Sequence, residues 1–361
     1  MPRPQSLAAS LAAEPVPALG PQAWYGADLG QHQDEWCHVW SAAEVAEIEA
    51  AVAGVLAADR QILGITREHF PLPTISGRLA EARRYLLDGP GLFLLRGLPV
   101  DRWSIRQAAT AFWGLGTHLG EACSQNGKGH VLGHVTNLGL DYRDPETRGY
   151  QTNARLPYHT DSSDIVGLLC LRTARAGGLS SVVSSTTLYN EVLRRRPDLL
   201  AVLMQPFYRT RWGEIPEGKQ PWASVPVFMA SEGRVIAHYV RSAIRKGQLL
   251  EGVPPLTAAQ NEALDFLDSL AEDPAIHLDM TFAPGDIQLV CNHTTLHSRT
   301  AYEDDPDPAR RRHLLRLWLA CEDGPSLPAW MTESYEGKTR NGRPNGIQVP
   351  GVPFKAPLAA E

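Results

Sequence analysis

Along the first third of the chain, apolar residues recur at helical spacing; along the rest they come in short runs. Ser41 to Glu44 forms a capping box, and Val45, Ile48, Val52 and Val55 follow at intervals of three and four, which predicts an amphipathic helix. A second helical stretch leads to Leu87. Between Gly91 and Gly97 the apolar run Leu-Phe-Leu-Leu, closed by Arg96 and followed by Pro99, reads as a buried strand. Ser104 to Gln107 opens another helix, with Ile105, Ala108, Phe112 and Trp113 on or near one face.

From Tyr150 onward the pattern changes to short strands and turns. Residues 165–171 form an apolar run, residues 225–228 and 234–239 read as strands, and residues 287–291 and 313–319 close the β part. Two helices interrupt it, over about 188–203 and about 258–270, the second opened by a Thr257/Gln260 capping box. Many short strands with interspersed helices predict a mainly β fold with flanking helices, a double-stranded β-helix or jelly roll. Residues 1–30 are expected to be a disordered leader. Residues 31–324 should form one catalytic domain with N-terminal helices, and the Pro/Gly-rich residues 325–361 an arm packed on or near the core. The Gly-rich segment from Gly127 to His134 lacks the GK[ST] ending and strand-then-helix context of a phosphate loop, so a mobile loop is expected there.

Composition narrows the function classes. The net charge of −6 leaves no basic footprint for nucleic acid, and no run of about 18 apolar residues suggests a membrane span. Five cysteines at wide spacings form neither a CxxC pair nor a disulfide framework, which points to a reducing cytoplasm.

The candidate chemistry lies in Tyr158-His-Thr-Asp161, directly before the apolar run. On an extended backbone alternate side chains share a face, so His159 and Asp161 would stand side by side at a strand mouth. That is two-thirds of the two-His, one-carboxylate set that binds non-haem Fe(II) with positions left open. H-x-D is a weak signal, and two further copies, His32/Asp34 and His277/Asp279, occur in poorer contexts. The third ligand is expected to be His297, after the strand at 287–291; His293 competes but reads as a loop residue. His130, His134 and His238 stand equally well as hydrogen-bonded structural histidines.

An open Fe(II) site needs an electron donor for O2, such as a 2-oxo acid whose far carboxylate must meet a fixed cation. Arginine suits this because its planar fork matches a carboxylate. On the last strand Arg312, Leu314, Arg316 and Trp318 alternate with His313, Leu315, Leu317 and Leu319, so the two arginines share a face. Ser180, after Gly177-Gly178, offers a hydroxyl to complete the clamp.

With these pieces in place, the chain resembles the taurine dioxygenase-like (TauD/TfdA) family of Fe(II)/2-oxoglutarate-dependent dioxygenases, whose fold is clavaminate synthase-like. The matching stretches are GLFLLRG, YHTD, GG followed by Ser180, PGDIQLVCN, LHSRT and RRHLLRLWL, in order over most of residues 90–320. The resemblance implies that His159, Asp161 and His297 ligate iron and that Arg312 pairs with the C5 carboxylate of 2-oxoglutarate. Ser180 falls where the family often has a Thr on that carboxylate, and Arg316 either assists there or faces the substrate. Asp161 disfavours halogenation, since related halogenases carry a small residue at that position. The implied reaction uses O2 to oxidise an unactivated C–H of a small molecule, most simply by hydroxylation, releasing succinate and CO2, and an arginine such as Arg241 or Arg316 facing the iron would favour an anionic substrate. Desaturation or cyclisation with the same cofactors, a Zn(II) hydrolase and a non-catalytic jelly-roll binding protein are the alternatives. Asn153, Tyr158, Trp212, Tyr239 and Arg241 are the substrate-pocket candidates; a homo-oligomer is left open.

Overall fold

Two β-sheets stack face to face, each coated on its outer side by helices. The computed structural model describes residues 15–144, 146–215, 217–334, 337–339 and 342–361. The larger sheet runs in the order Cys37–Val39, Leu92–Arg96, Ile287–Cys291, Ile165–Arg172, His313–Ala320 and Glu121–Ala122, with Gly133–Val135 also paired to His313–Ala320. The smaller sheet runs Leu278–Met280, Ser180–Ser184, Thr295–Arg299, Leu156–His159. Strands distant in sequence are neighbours in space, the hallmark of the jelly roll.

Alternation along each strand divides the residues between layers. On His313–Ala320, Leu315, Leu317 and Leu319 join the core beneath the helices Ala42–Ala57, Ser76–Asp88 and Ile105–Thr117. Trp318 of the same strand faces the other way, meeting Val182, Leu278 and Met280 of the smaller sheet. A second helical layer, Ser185–Arg195, Pro197–Leu203 and Ala258–Ala271, packs on the far side of the smaller sheet through Leu188, Leu200, Leu264 and Leu267 against Val183 and Leu296.

The capping boxes at Ser41, Ser104 and Thr257 all form. The helix expected over 188–203 is instead two, broken at Arg196, because Pro197 has no N–H to continue the ladder and sits at the first position of the new helix. The strand expected over 225–228 is split between Trp222–Pro226 and Phe228–Ser231, and that over 234–239 ends at Ala237.

Of the leader expected over 1–30, residues 1–14 lie outside the described residues, and 15–30 are built into the fold. Trp24 is buried, donates from Nε1 to the Pro90 carbonyl at 2.7 Å and accepts from Thr187 Oγ1 on its own carbonyl at 2.7 Å. Leu29 and Trp36 fill the same end of the sandwich. The Gly127–His134 segment is held by the end of the chain, with Val131 N donating to the Lys355 carbonyl and Lys355 N to the Gly129 carbonyl, both at 2.8 Å. Among the described residues no helix is long and apolar enough to cross a membrane, and all five cysteines are free.

His134 and His313 lie on paired strands, Nδ1 of the first 2.7 Å from Nε2 of the second. Burial, then the charges of His134 and Arg172, hold His313 down to about 3, and burial lowers His134. An unfolded His takes up a proton near pH 6.5 while the folded His313 stays neutral until about 3. Between those values the unfolded chain binds more protons, so stability rises with pH across the window. A melting temperature that falls steadily as pH drops from 7 towards 4 is the expected result of a thermal-melt series; a flat profile would contradict it.

Candidate active site

Register on the smaller sheet builds the site. Thr295–Arg299 pairs antiparallel with Leu156–His159 so that His297 stands directly opposite His159, ring centroids 4.2 Å apart. Asp161 follows two residues after His159, where the chain leaves the strand for the turn into Ile165–Arg172. One donor atom from each of His159, Asp161 and His297 lies within 4.8 Å of the others, the one such group of three found among the described residues. His159 Nδ1 sits 2.9 Å from the Pro157 carbonyl and so carries the proton, leaving Nε2 as a donor to a metal.

The neighbours set the charge state. Burial pushes the Asp161 carboxyl up, but Arg316, His297, His159 and a hydrogen bond from Trp318 outweigh it and hold the group below its ordinary value. Trp318 Nε1 donates to Asp161 Oδ2 at 2.8 Å and Arg316 Nη1 at 3.2 Å. Burial lowers His159, and burial with the His159 charge takes His297 down to about 3. The set is two neutral imidazoles and one carboxylate anion, the donor chemistry of a divalent transition metal.

A second group of charges holds the turn rigid. Asn292 accepts from Asp161 N at 2.7 Å through its side-chain oxygen and donates from Nδ2 to the Asp161 carbonyl. Asp164, fully buried, meets His293 Nε2 at 2.7 Å, Arg343 at 2.7 and 2.6 Å, and Asn345 Nδ2 at 3.1 Å. Burial alone would raise Asp164, yet the bonds from His293 and Arg343 hold it down to about 2. His293 lies, as expected, in the turn between Ile287–Cys291 and Thr295–Arg299, buried against Asp164. Arg343 and Asn345 come from the C-terminal arm, whose Gly346 N also donates to the Ser162 carbonyl at 2.6 Å; Gly346 and Ile347 form part of the cavity wall. The arm is thus a piece of the site.

The cavity in front of the three donors also receives Ser180, Arg299, Arg312, Arg316 and Trp212. Arg312 is 4% exposed, and its Nη1 has no hydrogen-bond partner. Ser180 Oγ lies 3.4 Å from Gln288 Oε1, on the strand beside His297. Arg316, expected either to assist Arg312 or to face the substrate, lines the same cavity, donates from Nη1 to Asp161 and from Nε to Gln125 Oε1 at 2.7 Å.

The substrate candidates divide. Trp212 lines the cavity with φ at +58°, a left-handed conformation that costs a non-glycine residue about 1 kcal/mol or more, between Lys246 Nζ at 4.8 Å and Arg148 at 5.6 Å from its ring. Arg241 also lines it, with its charge met by Asp265 and Asp268. Tyr158 also forms part of the cavity wall, but its ring packs into the helical layer and its hydroxyl bonds Ser181. Tyr239 is buried in the helical layer with its hydroxyl on Asp268, and Asn153 donates to the Tyr302 carbonyl at 3.2 Å; neither lines the cavity. Of the other H-x-D copies, His32 is exposed beside Glu35, and His277 donates from Nδ1 to the Ala271 carbonyl at 3.0 Å; neither belongs to a group of three ligand atoms among the described residues. Asn292, Trp318, Arg299, Asp164 and Arg343 were not assigned roles from sequence; only Trp318, on the face shared with Arg316, carried a positional cue.

A jelly roll with two histidines and an aspartate at the mouth of its smaller sheet defines a non-haem iron oxygenase class, and comparison with known proteins agrees. Residues 58–318 match the taurine catabolism dioxygenase TauD, TfdA family, and the chain belongs to it. It is 31% identical over 332 residues to FR-33289 synthase of Streptomyces rubellomurinus, covering 91% of this chain and 97% of that protein. It is also 31% identical over 180 residues to a uridine-5'-phosphate dioxygenase of an Amycolatopsis species, covering 48% of this chain and 63% of the relative. Among solved structures, asparagine oxygenase in complex with Fe(II), 2S,3S-3-hydroxyasparagine and succinate superposes with a TM-score of 0.62 at 17% identity, covering 87% of this chain and 99% of the other. The chain is an Fe(II)/2-oxoglutarate-dependent dioxygenase.

Asn292→Ala removes both side-chain bonds to the Asp161 backbone. A loss of Fe(II) affinity of about 10–100-fold is expected, with about 1–3 kcal/mol of stability. Isothermal titration with Fe(II) under argon checks this; an unchanged affinity would show that Asn292 does not set the ligand.

Proposed function

We propose that His159, Asp161 and His297 hold the catalytic Fe(II), that Arg312 with Ser180 receives the far carboxylate of 2-oxoglutarate, and that the enzyme hydroxylates a small anionic substrate. The observation that carries this reading is the convergence of three donor atoms within 4.8 Å on a cavity whose wall holds a buried guanidinium with an unmatched N–H. The donor set fits Fe(II), and Arg312 gives an oxo acid a buried cation in the same cavity. When bound, iron and 2-oxoglutarate supply O2 activation and the oxidative decarboxylation that leaves succinate and CO2.

The chain's own residues do the positioning. Trp318 and Arg316 both meet Asp161 Oδ2, fixing the rotation of the carboxylate and keeping it ionised. Asn292 fixes its backbone. Leu168, Leu314 and Phe282 give the inner cavity an apolar lining that excludes water from the reacting centre.

Charge supports an anionic substrate. Among the described residues the cavity is lined by seven arginines against two carboxylates, Asp161 and Glu214. Some of that charge is internally matched, as in Arg148 with Glu214 and Arg241 with Asp265. The Amycolatopsis relative named for uridine-5'-phosphate is in keeping with an anion in such a cavity. Free cysteines and the lack of a spanning helix among the described residues accord with a cytoplasmic setting.

Anaerobic addition of 2-oxoglutarate to the Fe(II)-loaded protein should produce the metal-to-oxo-acid charge-transfer absorption, and Asp161→Ala should abolish it; Zn(II) should not support turnover. Small phosphates, phosphonates and carboxylic acids should raise succinate formation where neutral analogues do not. Substrate-dependent succinate formation that survives Asp161→Ala would overturn the ligand assignment, and activation by neutral compounds alone would overturn the substrate class.

A further inference from the structure

Arg299 is a buried charge apart from both the three donors and the Arg312/Ser180 pair. It lies two residues beyond His297 on the same strand, so the two side chains share a face, and it is 4% exposed. Its Nη2 donates to the carbonyls of Thr152, at 3.2 Å, and Ala154. Its Nε and Nη1 are buried without a hydrogen-bond partner, as is Nη1 of Arg312.

Both guanidinium groups lie against one ring: Arg299 is 4.6 Å and Arg312 5.1 Å from the centroid of Tyr302. Both line the iron cavity. Ser180, the expected hydroxyl of the oxo-acid clamp, is the direct cross-strand partner of Arg299. The nearby carboxylate of Asp304 is engaged elsewhere, by Asn137 Nδ2 at 3.1 Å and the backbone N–H of Arg312 at 3.0 Å. Burial and then the charge of Arg312 draw Arg299 down to about 10.

Two buried like charges with inward N–H groups left over are costly unless an anion comes between them. A carboxylate has lone pairs enough for donors from both sides. Resting on the 2-oxoglutarate reading above, we infer that Arg299 is a second cationic partner of the far carboxylate, so that Arg299, Arg312 and Ser180 enclose it and the site rejects oxo acids that lack it. The sequence motif LHSRT therefore carries an iron ligand and an oxo-acid ligand on one strand face.

The test is anaerobic titration of the Fe(II)-loaded enzyme, followed by the charge-transfer absorption, with 2-oxoglutarate and with 2-oxovalerate, which keeps the chain length and lacks the far carboxylate. For Arg299→Gln the Kd for 2-oxoglutarate should rise about 10–100-fold while that for 2-oxovalerate moves by no more than about twofold. Arg299→Met, which keeps the stem against Tyr302, gives the same comparison if the Gln variant does not fold, and Arg299→Lys should recover part of the loss. Equal weakening of both oxo acids would show that Arg299 only props the loop at Thr152, and wild-type affinity for 2-oxoglutarate would show no contact; either overturns the inference. Absence of the absorption in the wild-type protein with 2-oxoglutarate would overturn the cofactor reading as well.

Discussion

The site depends on one strand pairing. Because Thr295–Arg299 lies antiparallel to Leu156–His159 with His297 opposite His159, two imidazoles meet on one face. Side chains alternate along a strand, so a slip of one residue would turn His297 and Arg299 out of the sandwich together. The register is fixed from the other side of the same strand: Leu296 packs into the helical layer with Val183 and Leu264. A hydrophobic preference on one face thereby sets the placement of both imidazoles on the other.

The aspartate is controlled by a different device. Asp161 lies beyond the strand end, where no ladder holds the backbone, and its position rests on Asn292 below and on Trp318 and Arg316 beside it. Three residues on, Asp164 is neutralised in the core by Arg343 from the C-terminal arm and hydrogen-bonded to His293. Removing one partner of a buried ion pair leaves an uncompensated charge and typically costs about 3–5 kcal/mol. The arm is thus bound to the turn that carries Asp161, and an arm rich in Pro and Gly forms part of the cavity wall.

Much of this was legible in the chain. The capping boxes, the apolar runs and the alternation on residues 313–319 state their elements directly, and YHTD before an apolar run marks the ledge. What was hidden followed from physical causes that periodicity does not register. Pro197 interrupts an otherwise continuous helical pattern. Trp24 and Leu29 are isolated anchors in an Ala/Pro-rich stretch. Arg316 shares a face with Arg312, but only coordinates reveal that Asp161 claims it. Tyr239 and Asn153 lie near ligands in sequence and point elsewhere. Arg299 and Arg343 were unread because a buried charge is recognised by its partners, which lie about 145 and 179 residues away along the chain.

The central claim is that one face of the smaller sheet holds both the iron and the oxo acid. A crystal structure of the anaerobic complex with Fe(II) and 2-oxoglutarate tests it most directly. The account expects the metal bound by His159, Asp161 and His297, with the far carboxylate between Arg312 and Arg299 beside Ser180. A metal on other residues, or a far carboxylate lying against Arg316, would contradict it.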